Sequence, residues 1–77
     1  MPNVAIIEGV KINMYFTDEA PPHVHAVYGE QEVKLAIDDA RVIAGEMKAN
    51  KLAVAQAYVL ANGPALVALW VEYGGAE

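Results

Sequence analysis

The 77-residue sequence has no cysteine and no serine, a single threonine (Thr17), and only five basic residues. Without cysteine, neither a disulfide nor a zinc-finger type of metal cluster can reinforce a small core. Without serine or cysteine the usual hydroxyl and thiol nucleophiles are excluded, leaving Thr17 or a tyrosine as the only substitutes. The five cations, Lys11, Lys34, Arg41, Lys48 and Lys51, are scattered among ten carboxylates, and the net charge is −5. A chain with no basic patch has nothing to neutralise a phosphate backbone, so direct binding to nucleic acid is not expected. Acidic balance of this size serves solubility or a basic protein partner.

The start, Met1-Pro2-Asn3-Val4, lacks the basic stretch, apolar run and small-residue cleavage site of an export signal, and a cytoplasmic location is the expectation. Charge is also absent from the twenty residues between Leu52 and Val71. That length suits a membrane-spanning helix. Asn62-Gly63-Pro64 interrupts the stretch at its midpoint, and such a break needs outside support in lipid, so insertion is not expected.

Hydrophobic residues make up 56% of the chain, above the roughly 45–50% of average domains. A chain this short buries only about 60–65% of the surface its unfolded form exposes. Two domains do not fit, and the apolar excess points to a very apolar core together with oligomerisation.

The hydrophobic period changes near residue 47 from two to 3.6, placing strands first and helices second. Val10, Ile12, Met14 and Phe16 alternate with Lys11, Asn13, Tyr15 and Thr17, as in a half-buried strand. Val24, Ala26 and Tyr28 form a second alternating set, facing away from His23, His25 and Val27. Gly29-Glu30-Gln31 connects it to a strand carrying Val33, Leu35 and Ile37. Asp38-Asp39 is a turn, with adjacent carboxylates pointing to opposite sides, before a short strand from Arg41 to Ala44 that stops at Gly45. Val4 to Ile7 adds a further short strand, paired or frayed.

From Lys48 to Ala61 the residues are good helix formers, with Leu52, Ala55 and Val59 on one stripe. Asn62-Gly63 closes this helix and Pro64 opens the next, where Leu66, Leu69, Trp70 and Tyr73 fall at i, i+3, i+4 and i+7. Val54, Tyr58, Val67 and Val71 lie off both stripes. The helices are therefore apolar over more than one small sheet needs, and a second copy or a small protein partner is expected on them.

Both histidines lie in one segment, Asp18-Glu19-Ala20-Pro21-Pro22-His23-Val24-His25. Two residues apart on a strand, they share a side with Cβ atoms about 6–7 Å apart, within reach of one metal ion. Pro21-Pro22 fixes φ at two successive positions and stiffens the approach. Four roles are compatible with this pattern. His23 and His25 with Asp18 or Glu19 suit a divalent-metal site with open positions. One histidine suits a general acid or base. The loop suits a recognition edge offering His23, His25, Tyr15 and Tyr28 to a partner. Alternatively the imidazoles simply hydrogen-bond the loop.

The segments Met14-Tyr15-Phe16, Asp18, Pro21-Pro22-His23-Val24-His25-Ala26 and Tyr28-Gly29, followed by Gly45 and Leu69-Trp70, resemble the bacterial family called domain of unknown function 4160. The resemblance spans nearly the whole chain. It implies a small α+β domain with two helices last, and a gene adjacent to that of another small protein, as in toxin–antitoxin pairs. Family members often carry histidine after the aspartate matching Asp18; here the residue is Glu19, which removes a third imidazole but leaves a carboxylate able to ligate.

The expectation is thus one α+β domain over residues 1–77. It has an antiparallel sheet of three to four strands within about 4–44, then a helical hairpin (48–61 and 64–73) on one face. The expected function is a binding or regulatory module, not an enzyme, in a toxin–antitoxin-like pair, with Asp18, Pro21, Pro22, His23, His25 and Tyr28 at the contact site. The alternative is a small metal-dependent hydrolase or nuclease using His23 and His25 with Asp18 or Glu19.

Overall fold

The computed structural model describes residues 3–15 and 21–74. Five strands come first: β1 (Asn3–Ile7), β2 (Val10–Asn13), β3 (His23–Tyr28), β4 (Gln31–Ala36) and β5 (Val42–Glu46). They form one antiparallel meander in chain order, each strand paired to the next. The class is α+β as expected, with five strands rather than three to four. The extra strand is the Val4–Ile7 segment, which pairs with β2 through Ala5, Ile6 and Ile7, with a shift of register between Asn3 and Ala5.

The turns explain this economy. Ile7 faces Val10 across a two-residue loop in which Glu8 (φ 50°) and Gly9 (φ 82°) are both left-handed, a type I′ turn whose twist matches its strands. Tyr28 faces Gln31 across Gly29-Glu30, where only Gly29 takes positive φ, as a type II′ turn demands. The β4–β5 connection is wider. Asp39 accepts the Arg41 amide at 3.0 Å, and Ala40 turns left-handed.

β5 departs from expectation by running through Gly45 to Glu46. Gly45 does not stop the strand; it sits at φ 83°, opposite Val33, and a Cβ there would overlap the Glu32 carbonyl oxygen at 2.2 Å. Glycine is required because the β4 backbone passes too close for any side chain.

Two helices follow, α1 (Ala49–Ala61) and α2 (Gly63–Glu72), sharing Asn62 as cap. They do not form an antiparallel hairpin: the chain turns by 80° between them. Pro64 at the start of α2 needs no amide hydrogen bond there and presets the new direction. No single helix among the described residues is long and apolar enough to cross a membrane.

The core lies between one sheet face and the helices. Val10, Ile12, Val24, Ala26, Val33 and Leu35 are buried against Ala55, Val59, Leu66 and Trp70. Burial of each large aliphatic side chain contributes about 1.5–3 kcal/mol. The alternation that fills this face sends Lys11, Asn13, His23, His25, Glu32 and Lys34 to the other. α1 is anchored at its start by Gln31, whose side-chain oxygen accepts the Lys48 amide at 2.8 Å, and Lys51, which donates to the Glu8 carbonyl and lies 5.0 Å from the Tyr28 ring centroid.

Candidate functional site

The segment before β3 is tied down by its own backbone. The Pro22 carbonyl accepts the Ile37 amide at 3.1 Å, fixing the diproline against the end of β4. His23 then donates from Nδ1 to the Pro21 carbonyl at 2.7 Å. Since a carbonyl only accepts, this bond places the proton on Nδ1.

His25 is held from across the sheet. Its Nδ1 donates to Glu32 Oε2 at 2.9 Å. The pair is diagonal: His25 faces Lys34 and Val27 faces Glu32, so Glu32 is two residues along β4 from the direct partner. The His25 side chain is 10% exposed and that of Glu32 52%, so the carboxylate stands at the boundary between the buried ring and solvent.

The rings form a continuous chain. Tyr15 meets His25 edge-on at 4.3 Å between centroids, His25 lies 5.1 Å from His23, and His23 lies 5.3 Å from Trp70. His23 and His25 thus share one side as the two-residue spacing requires, and both are buried, at 4% and 8% exposure. Trp70 belongs to the core cluster, so the first residue of β3 is joined to α2. Its indole Nε1 has no hydrogen-bond partner among the described residues.

A polar row crosses the same face. Asn3 donates to Asn13 at 3.1 Å, Asn13 faces His25, and His25 faces Lys34. One row over, Glu32 lies directly opposite Glu46 of β5, two carboxylates in register. Lys11 faces Val27 in that row, two strands from Glu32.

The structure brings Pro21, Pro22, His23 and His25 together. Tyr28 is not with them: its ring lies against Gly9 and Lys51 at the other end of β3. Asp18 and Glu19 lie outside the described residues. Among the described residues no group of three His, Cys, Asp or Glu side chains is placed to hold a metal ion. If a metal were held here, His23 and His25 would offer Nε2, because both Nδ1 atoms already donate to oxygen.

Asp38 and Asp39 do not point apart as adjacent strand residues would. Both carboxylates reach Arg41 Nη1, at 3.2 and 3.1 Å, because turn geometry replaces strand alternation. Hydrogen bonding from the Arg41 amide, followed by the guanidinium charge and neighbouring side-chain bonds, outweighs desolvation and holds Asp39 below its ordinary pKa of 3.8.

Asn13, Glu32 and Glu46 were missed by motif reasoning, yet a signal for Glu32 existed. Once Gly29-Glu30 is fixed as a two-residue turn, the register of β3 against β4 follows by counting, and Glu32 falls diagonal to His25.

Comparison with curated proteins gives no match, and comparison with solved structures gives none either. The profile described as "Domain of unknown function (DUF4160)" matches residues 9–71, a span holding β2 to β5, the histidines and nearly all of both helices. The chain therefore belongs to the DUF4160 family.

Proposed function

We propose that this chain is a binding or regulatory module for a basic protein partner, the acidic member of a toxin–antitoxin-like pair. Its contact surface would run from Pro21 and His25 to the Glu32–Glu46 pair. The observation supporting this reading is the register of Glu32 directly across from Glu46 on the sheet face away from the helices. Like charges opposed across a sheet destabilise the isolated chain. A lysine or arginine from a partner would relieve both carboxylates at once. His25, bonded to Glu32, fixes where one of them stands. Charge complementarity of this kind chiefly sets partner choice and encounter rate.

The experiment is co-expression of the tagged chain with the product of the adjacent gene that the family resemblance implies. Co-purification of the two, lost in Glu32→Lys and Glu46→Lys, supports the reading. Retention of the partner by both variants, or no complex at all, contradicts it.

A metal-dependent hydrolase or nuclease is the second reading, favoured by one observation. Both histidines donate through Nδ1 to an oxygen, the support commonly found behind imidazoles that ligate a metal through Nε2. The donor set would be His23 and His25 with Asp18 or Glu19. A divalent ion would also supply the positive charge that a nuclease of net charge −5 lacks. Titration of chelator-stripped protein with Zn²⁺, Mn²⁺ and Ni²⁺ tests it. Stoichiometric binding abolished by His23→Ala/His25→Ala supports it; no binding, or binding indifferent to the substitutions, ends it.

A further inference from the structure

The two edges of the sheet differ in how far they are covered. β1 is partly closed: Val4, Ala5 and Ile7 are half-buried, Asn3 donates to the Ala5 carbonyl at 3.3 Å, and Lys51 donates to the Glu8 carbonyl just beyond. β5 is open. All five of its residues are exposed, and β4 is its only strand neighbour among the described residues. Natural edges are commonly guarded by lysine or proline, and Val42–Glu46 contains neither. The one extra residue, Ile43, falls before Ala44, and from Ala44 to Glu46 the pairing with β4 is regular.

The two faces of this edge carry different chemistry. On the face away from the helices Ala44 lies opposite Lys34, and Glu46 lies opposite Glu32. Ion pairs among the described residues join His25 to Glu32 and Arg41 to Asp38 and Asp39, so Glu46 meets no cation. Lys34 already stands beside Ala44, which leaves no place for a second cation there. On the helix side Val42 lies opposite buried Leu35 and carries the apolar face out to solvent, 40% exposed.

We infer that an extended segment of the basic partner adds to β5 as a sixth strand. A lysine or arginine lies directly opposite Glu46, a neutral residue opposite Ala44, and apolar residues alternate with them on the helix side beside Val42. In strand addition main-chain hydrogen bonds supply affinity, and alternate side chains supply selectivity. A second copy of this chain is the poorer occupant: Val42–Glu46 holds no cation, and Arg41 before it is already shared by Asp38 and Asp39. The inference rests on the binding reading above and specifies the form its partner takes.

The probe is the end-capped synthetic peptide Thr-Val-Lys-Val-Thr-Val, about the length of one strand, titrated into the isotope-labelled chain and followed by NMR. Amide shifts should gather in Val42–Glu46 and spare Asn3–Ile7. The β5 amides turned away from β4 should exchange with solvent at least about tenfold more slowly. N-methylation of alternate peptide amides, made in both phases, should weaken binding about tenfold or more in one phase, because only one set of amides faces β5. Binding indifferent to methylation in both phases would overturn strand addition and leave a charge contact through Glu32 and Glu46 standing. A peptide with glutamate in place of lysine, bound as tightly, would overturn the charge reading itself. Absence of any shift in β5 would overturn the inference, while titration with the adjacent gene's product still decides the broader reading. So would a peptide-free chain of twice the expected mass with β5 already protected, which would make a second copy the occupant.

Discussion

His25 donates from Nδ1 to Glu32 at 2.9 Å across the β3–β4 pair, linking a buried ring to a half-exposed carboxylate that itself stands opposite Glu46. This relationship joins the histidine segment to the acidic edge of the sheet.

Replacing Glu32 tests its structural share. Glu32→Ala removes the acceptor from a buried donor and should cost about 1 kcal/mol, at the low end because the carboxylate is half exposed. Glu32→Gln keeps an acceptor oxygen and should recover much of that loss. Urea denaturation of both variants measures the difference; equal destabilisation would show that the hydrogen bond itself contributes little.

Two glycines with positive φ should respond differently to alanine. At Gly29 (φ 60°) nothing lies within 4 Å of an added Cβ. Gly29→Ala should therefore cost only the left-handed strain, about 1 kcal/mol. At Gly45 the same change adds overlap with the Glu32 backbone oxygen, and should cost about 3 kcal/mol or more. Thermal melts of the two variants would contradict this account of β5 if Gly45→Ala were the milder.

Trp70 separates packing from hydrogen bonding. Its ring is 3% exposed, while its indole nitrogen has no partner among the described residues. Trp70→Phe should cost about 1–2 kcal/mol and Trp70→Ala about 3–5 kcal/mol. Chemical denaturation reads both. A Phe variant as damaged as the Ala variant would show that the indole N–H matters.

Asp39 gives a pH prediction. Its folded pKa lies below 3.8, so the stability it contributes is present above 3.8 and is lost as pH falls through the lower folded value. The Arg41 amide is the main cause, and Arg41→Ala keeps that amide. The carboxyl carbon of Asp39, followed by NMR, should titrate below 3.8 in both the wild type and Arg41→Ala. A return to 3.8 in the variant would assign the shift to the guanidinium instead.

Much of this structure was legible in local patterns. Alternation around Val24, Ala26, Val33 and Leu35 fixed which side of the sheet meets the helices, and the same parity put His23 and His25 together on the other. Val4–Ile7 was less clear because an edge strand is half-exposed and its apolar residues carry no sharp alternation. Gly45 read as a stop because glycine ends strands by propensity, whereas here it answers a close backbone approach visible only in three dimensions. The 80° turn between the helices was out of reach for the same reason: Asn62-Gly63-Pro64 marks a break but not the angle that tertiary packing chooses. Tyr28 was grouped with the histidines by proximity in sequence, although its position five residues beyond His23 along β3 carries it to the opposite end of the strand.

The most direct test of the binding account is isothermal titration of this chain with the product of the adjacent gene, in wild type and with Glu32→Lys or Glu46→Lys. The account predicts saturable binding that weakens as salt rises from about 0.05 to 0.3 M and that either charge reversal reduces about tenfold or more. Absence of binding, or binding equally tight in both variants, would contradict it.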